Sequence, residues 1–199
     1  MQMDERQWDK LLRIKTTGRD DSRSDAYHYP YEPTPYEVLE RIAATGYLTK
    51  VNTLVDYGCG KGRVDFYLSY QTKCRSIGVE FNPRIYEQAL ANMETGASAG
   101  RVSFVWENAE LYTVEPEADR FYFFNPFSVE VFQKVMGRIR DSWYENPRQM
   151  ILFFYYPSDE YVAYLMTQND LSLIDELDCR DLFNGLKERE HVLIFELSY

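Results

Sequence analysis

From residue 51 onward, short apolar runs alternate with stretches in which apolar residues recur at helical spacing. The runs Thr53–Asp56, Ser76–Glu80, Val102–Trp106, Arg120–Phe124 and Met150–Tyr155 read as strands. Between them fall Val64, Tyr67 and Leu68; Ile85, Tyr86, Ala89, Leu90 and Met93; Val131, Phe132, Val135, Met136 and Ile139; and Tyr161, Tyr164 and Leu165, each set on one face of a helix. Asn82-Pro83 and Ser158 stand where helix N-caps belong, and Gly96 to Gly100 closes the second of these helices. Met150–Tyr155 is apolar throughout, the mark of a central strand buried on both faces. Leu171–Leu177 and Val192–Leu197 add two more strands, and the short loop around Asn184-Gly185 between them suits an antiparallel last strand. Strands that alternate with helices imply a mostly parallel sheet with right-handed crossovers.

Ahead of this alternation the pattern changes. Trp8, Leu11, Leu12 and Lys15 predict a short amphipathic helix over residues 4–15, followed by a polar linker or loop from Thr16 to Asp25. Residues 27–36 then hold four tyrosines and three prolines. Proline disfavours helix at the residue before it, so Tyr29 to Thr34 should be extended, with a helix starting near Pro35 and Thr34 as its N-cap. Two readings of the tyrosines stay open: packing against the domain, or a lid over a ligand, with Tyr31 and Thr34 near it. The expected organisation is an N-terminal helical and extended segment over 1–34 and one ligand-binding domain over 35–199.

Composition narrows the partners. A chain of 199 residues, 45% hydrophobic and 16% aromatic, is large enough for one domain with a sizeable core. Its formal net charge of −10 disfavours nucleic acid, whose binding depends on clustered Lys and Arg. Lys134, Arg138 and Arg140 could form a local basic groove, but read more simply as the solvated face of a helix. Cys59, Cys74 and Cys179 are odd in number and lack C-x-x-C spacing, so neither a disulfide framework nor a metal site is expected. The N-terminus has no signal-peptide core and the chain no membrane-length apolar run, so a cytoplasmic protein without membrane contact is expected. The oligomeric state is left open.

The densest signal is Val55-Asp56-Tyr57-Gly58-Cys59-Gly60-Lys61-Gly62-Arg63, a glycine-rich loop between a strand and a helix. Glycine lets a ligand lie directly against the main chain, with backbone N–H groups facing it. The dinucleotide fingerprint spaces its glycines G-x-G-x-x-G and places a ribose-binding acid about 20 residues on. Here the spacing is G-x-G-x-G, and the acid is Glu80 at the end of the second strand. The pair describes a site for an adenosine whose attached group is not a pyrophosphate.

Val55 to Gly62 resembles motif I of the class I S-adenosylmethionine-dependent methyltransferases, apolar-D-x-G-x-G-x-G. Glu80 resembles the acidic end of their second strand, Asn108-Ala109 falls where many members have Asp-Ala, and Asn125-Pro126-Phe127 resembles the motif after their fourth strand. The resemblance spans roughly residues 50–199. It implies an α/β fold with a doubly wound, mostly parallel seven-stranded sheet, helices on both faces and an antiparallel last strand, and S-adenosylmethionine as cofactor. It also implies methyl transfer to a small-molecule or protein acceptor.

Ligands of open α/β sheets bind beyond the carboxyl ends of the strands. The cofactor residues expected there are Asp56, Gly58, Gly60, Gly62, Glu80, Phe81, Asn108, Ala109 and Asn125. Glu80 would accept both ribose hydroxyls, and Asp56 would orient the loop or meet the methionine amine. Asn108 would exchange hydrogen bonds with the adenine edge, and Phe81 would line the adenine. Asn125, Pro126 and Phe127 would position the acceptor, as the D/N-P-P-Y/F motif of amino-methyltransferases holds a planar amine, although this chain has one proline where that motif has two. Ser128 follows directly. Tyr155-Tyr156-Pro157 would line the acceptor pocket or pack in the core. His28 is a candidate acid or base, and His191 reads as structural. Three rivals remain: a non-catalytic cofactor-binding module, a DNA adenine methyltransferase, and an NAD-dependent oxidoreductase disfavoured by the glycine spacing.

Overall fold

The computed structural model describes residues 3–18, 32–183, 185 and 188–198. The polar run from 19 to 25, the tyrosines from Tyr27 to Tyr31 with His28, and Asn184 lie outside the described residues.

Seven strands form one sheet in the order β3-β2-β1-β4-β5-β7-β6. They are β1 (Thr53–Tyr57), β2 (Arg75–Glu80), β3 (Val102–Trp106), β4 (Ala118–Phe123), β5 (Met150–Tyr155), β6 (Leu171–Asp178) and β7 (His191–Leu197). The first five pair in parallel, and β7 lies antiparallel between β5 and β6. Strand order reverses between β1 and β4, so a crevice opens beyond their carboxyl ends.

Because side chains alternate along a strand, each central strand feeds two cores. Met150, Leu152 and Phe154 face one and Ile151, Phe153 and Tyr155 the other. Helices α5 (Val129–Glu145) and α6 (Asp159–Met166) cover the first face through Phe132, Val135, Met136, Ile139, Tyr161 and Leu165. Helices α2 (Tyr36–Ala44), α3 (Arg63–Thr72) and α4 (Pro83–Met93) cover the second. Asn82 and Ser158 cap α4 and α6 as expected: their side chains accept from Arg84 N at 3.1 Å and Tyr161 N at 3.2 Å.

The N-terminal segment differs from expectation in three details. Helix α1 spans only Glu5–Leu12: Asp4 and Gln7 close its first turn as a capping box, and Arg13 ends it at φ +58°. Thr16 is not in a linker; it is fully buried and bonded to Asp9 at 2.6 Å. Thr34 does not cap α2. Val38 N and Leu39 N both bond to the Pro35 carbonyl, so Pro35 takes the N-cap position, and the Thr34 hydroxyl turns inward to Tyr122 Oη at 2.9 Å.

Candidate functional site

The loop between β1 and α3 turns through Gly58, Gly60 and Gly62 at φ +74°, +58° and +84°, the left-handed region that glycine enters without strain. Space is also short. A Cβ on Gly58 would lie 2.7 Å from Pro126, and one on Gly62 would lie 2.3 Å from the Phe104 ring. The loop therefore packs directly on the segment after β4, which brings two sequence motifs about 65 residues apart into one wall.

Glu80 ends β2 and is 5% exposed. Its Oε2 accepts from Gly60 N at 3.0 Å and its Oε1 from Asn82 N at 2.8 Å. Two main-chain donors thus fix the carboxylate across the loop. Asp56, on β1 beside it, is buried, with Oδ2 lacking a hydrogen-bond partner. Burial, then the nearby Asp65 and Glu80, raises its carboxyl well above the usual range. Burial likewise pushes the Cys59 thiol up, so this loop cysteine is a packed group and not a nucleophile.

At the end of β3, Asn108 closes a turn. Its Oδ1 accepts from Glu110 N at 3.3 Å, and its carbonyl accepts from Leu111 N and Tyr112 N. Ala109 belongs to the core on the α5 and α6 side. Phe81 is half-buried, its carbonyl accepting from Trp106 Nε1 at 2.9 Å.

After β4 the chain turns through Asn125 at φ +43°, with Asn125 Oδ1 buried and unpartnered. Asn tolerates this conformation better than most residues, but an unpaired buried oxygen there marks a place for a donor. The Phe127 ring is 4% exposed and lies in the core against Phe123, and its carbonyl accepts from Tyr161 Oη at 2.7 Å. On the other face of the sheet Phe124, Tyr155 and Tyr156 gather, with ring centroids 4.6 to 6.4 Å apart. Tyr156 follows β5 at φ +50°, as Asn125 at φ +43° follows the neighbouring β4. Two adjacent strand ends thus carry non-glycine left-handed residues, strain of the kind that collects at functional sites. Sequence reasoning missed Phe124, which reads as one more strand residue, and Asp65, which reads as a polar position of α3.

The basic candidates are committed elsewhere. Lys134 pairs with Glu110 at 2.7 Å, and Arg140 pairs with Asp170 at 2.5 Å and bonds Tyr164. Arg138 donates to the Glu110 carbonyl at 3.3 Å. His191 opens β7, where its carbonyl accepts from Tyr156 N. Among the described residues no group of His, Cys, Asp and Glu could hold a metal ion.

No family model matches the chain. A protein-lysine N-methyltransferase of Saccharolobus islandicus (strain REY15A) is 34% identical to it over 82 residues, which cover 41% of this chain. The chain spans about half the length of that curated relative, at 51%. Solved structures that share the fold include three methyltransferases. An RNA methyltransferase from Salinibacter ruber in complex with S-adenosyl-L-homocysteine is similar at a TM-score of 0.60 and 19% identity, over 84% of this chain and 94% of that one. A tRNA methyltransferase from B. subtilis is similar at 0.58 and 16% identity, over 81% and 66%. A dimethyladenosine transferase from Plasmodium falciparum is similar at 0.57 and 13% identity, over 85% and 64%. The fold is that of the Rossmann-like S-adenosylmethionine-dependent methyltransferases.

Proposed function

We propose that this chain binds S-adenosylmethionine and transfers its methyl group to an acceptor amine, with a protein lysine as the favoured acceptor. The observation that carries the reading is Glu80, whose two oxygens are fixed by Gly60 N and Asn82 N at the mouth of a loop with no room for side chains at Gly58 and Gly62. That arrangement fits an adenosine: a pre-oriented carboxylate for two ribose hydroxyls beside a main-chain cradle. Asp56 would hold the methionine end, and Phe81 and Asn108 would line the adenine. Ala109 contributes its position in the turn after β3.

When bound, S-adenosylmethionine supplies a methyl group already activated on a sulfonium. The residues of this chain then have to align the acceptor and exclude water, and alignment alone can supply about 7–11 kcal/mol of a barrier. Asn125 Oδ1 accepts an N–H of the amine and directs its lone pair. Pro126 stiffens the turn, while Phe127 anchors it from the core side. The lysine reading is supported by the name of the Saccharolobus islandicus relative. The net charge of −10 and the internal pairing of Lys134 and Arg140 argue against a nucleic-acid acceptor. Among the described residues no helix is long and apolar enough to cross a membrane, and a cytoplasmic location accords with the three buried free cysteines.

Calorimetry with S-adenosylmethionine, S-adenosylhomocysteine and NAD tests the cofactor. The first two should bind and NAD should not; failure of both adenosyl ligands would overturn the reading. Glu80→Ala removes two charge-assisted hydrogen bonds worth about 1.5–3 kcal/mol each, so binding should weaken at least about 100-fold. Radiolabelled methyl donor offered to protein and metabolite extracts then tests the acceptor. Label should enter the protein fraction, and a chain that binds cofactor yet labels neither fraction is a binding module.

A further inference from the structure

Two carboxyl groups meet beneath the glycine loop. Asp56 is 3% exposed, and Asp65, in the first turn of α3, is fully buried. They lie within hydrogen-bonding reach of one another. The Oδ2 of each is buried with no partner in the protein to donate to it, while Asp65 Oδ1 accepts from the Ser76 hydroxyl at 2.7 Å. Two ionised carboxylates do not persist at such separation in a buried space, and buried polar atoms left unbonded are rare.

We propose that Asp65 is a positioning residue of the cofactor site: it shares one proton with Asp56 and so holds the Asp56 carboxyl beneath the glycine loop. The inference rests on the cofactor reading above. A single proton between the side chains meets the need of both orphan oxygens and leaves the pair with one negative charge. The Ser76 hydroxyl stabilises the ionised form of Asp65, which puts the proton on Asp56. Burial raises both carboxyls, so the pair holds a proton at pH values where a free carboxyl has lost it. Facing the pair are Glu80 at the end of β2, Cys59 of the loop, Tyr122 of β4 and Cys74 ahead of β2, none of them a cation. Once the proton leaves, Asp56, Asp65 and Glu80 repel across one buried space, and the Gly60–Glu80 contact that shapes the loop loosens.

The test uses the full chain, Asp65→Asn and Asp65→Ala. Asparagine keeps a donor toward Asp56 and an acceptor for Ser76 without a titrating proton. S-Adenosylhomocysteine is the probe, because its sulfur is uncharged and any titration of its amine is common to all three proteins. For the wild type, Kd should rise at least tenfold between pH 6 and pH 9. Asp65→Asn should bind within about threefold of the wild-type pH 6 value at both pH values, and Asp65→Ala at least tenfold more weakly at both. A pH dependence in Asp65→Asn equal to that of the wild type, or wild-type binding by Asp65→Ala, would overturn the proposal. A ligand-free measurement reads the proton separately. Above about pH 4 the unfolded chain has lost this proton while the folded state still holds it, so the urea midpoint of the wild type relative to Asp65→Asn should fall as pH rises from 4 until the folded pair gives the proton up. A constant difference overturns the shared proton itself. If that difference falls as expected and no S-adenosylhomocysteine binds at any pH, the cofactor reading fails, and the positioning role fails with it.

Discussion

Gly62 shows how tightly single positions are constrained in this loop. It turns at φ +84° and leaves room for Phe104 where a methyl group would lie 2.3 Å from the ring. Alanine there carries about 1–2 kcal/mol of left-handed backbone strain before the overlap is counted. Gly62→Ala should therefore destabilise the chain by roughly 3 kcal/mol in urea unfolding. Gly100, with open space around its would-be Cβ, should tolerate alanine at a cost near zero or gain up to about 1 kcal/mol. Equal effects of the two substitutions would mean the loop is not packed as described. Glycine spacing makes the loop readable in the sequence, but nothing in the sequence says that Pro126 and Phe104 fill the space its glycines leave. The Asp56–Asp65 pair is hidden for the same reason, since eight residues of loop and helix separate two carboxyls that folding turns toward each other.

At the scale of elements, the attachment of α1 depends on one buried arginine. Arg63 is 2% exposed, stacks 4.3 Å over the Tyr36 ring, and donates to Glu5, to Thr16 Oγ1 at 2.8 Å and to the Thr34 carbonyl at 3.2 Å. Asp9 completes the cluster, accepting from Thr16 and Thr17 and from Tyr36 Oη at 2.5 Å. One side chain thus ties α1 and the segment 32–36 to α3. Arg63→Met leaves Glu5 and Asp9 without their cation at a cost on the order of 3–5 kcal/mol. Hydrogen exchange should report that loss in the amides of α1 while β1, β4 and β5 stay protected; uniform loss of protection would contradict a local anchor. Burial alone would raise the Asp9 carboxyl, but hydrogen bonds from Thr16, Tyr36 and Thr17 hold it below its usual value. A depressed acid contributes stability above its unfolded pKa of about 3.9 and loses it as pH falls through the lower folded value, so acid should release α1 ahead of the sheet. The heptad-like spacing of Trp8, Leu11 and Leu12 predicted a helix here, yet Leu11 is 43% exposed and Ile14 is buried past the helix end. Periodicity finds the helix and misses the return of the chain, because the return is held by charges distant in sequence.

For the whole molecule, the formal charge of −10 is the argument behind a protein rather than a nucleic-acid acceptor in the proposed reaction. The fold is shared with RNA methyltransferases, so the matter is open to direct measurement. Gel-shift titration with single- and double-stranded RNA and DNA at 150 mM salt should give no retardation at concentrations where nonspecific binders, with Kd of about 10⁻⁴–10⁻⁶ M, begin to bind. Retardation that disappears with rising salt would reverse the choice of acceptor class.

Alternating apolar runs and helical faces determined the strands and helices from sequence alone, and glycine spacing with an acid at the right distance an adenosine-type site, because both depend on local periodicity and local turn chemistry; the doubly wound seven-strand arrangement and S-adenosylmethionine came with the family resemblance. Only the tertiary structure decided what the strand ends do together. It set Gly58 against Pro126, brought Asp56 to Asp65, drew Thr34 and Thr16 into the interior, and placed the Phe127 ring in one core while Phe124 and Tyr156 pack against the other. Those contacts join residues far apart in the chain through packing and buried charge, and no one-dimensional period records them.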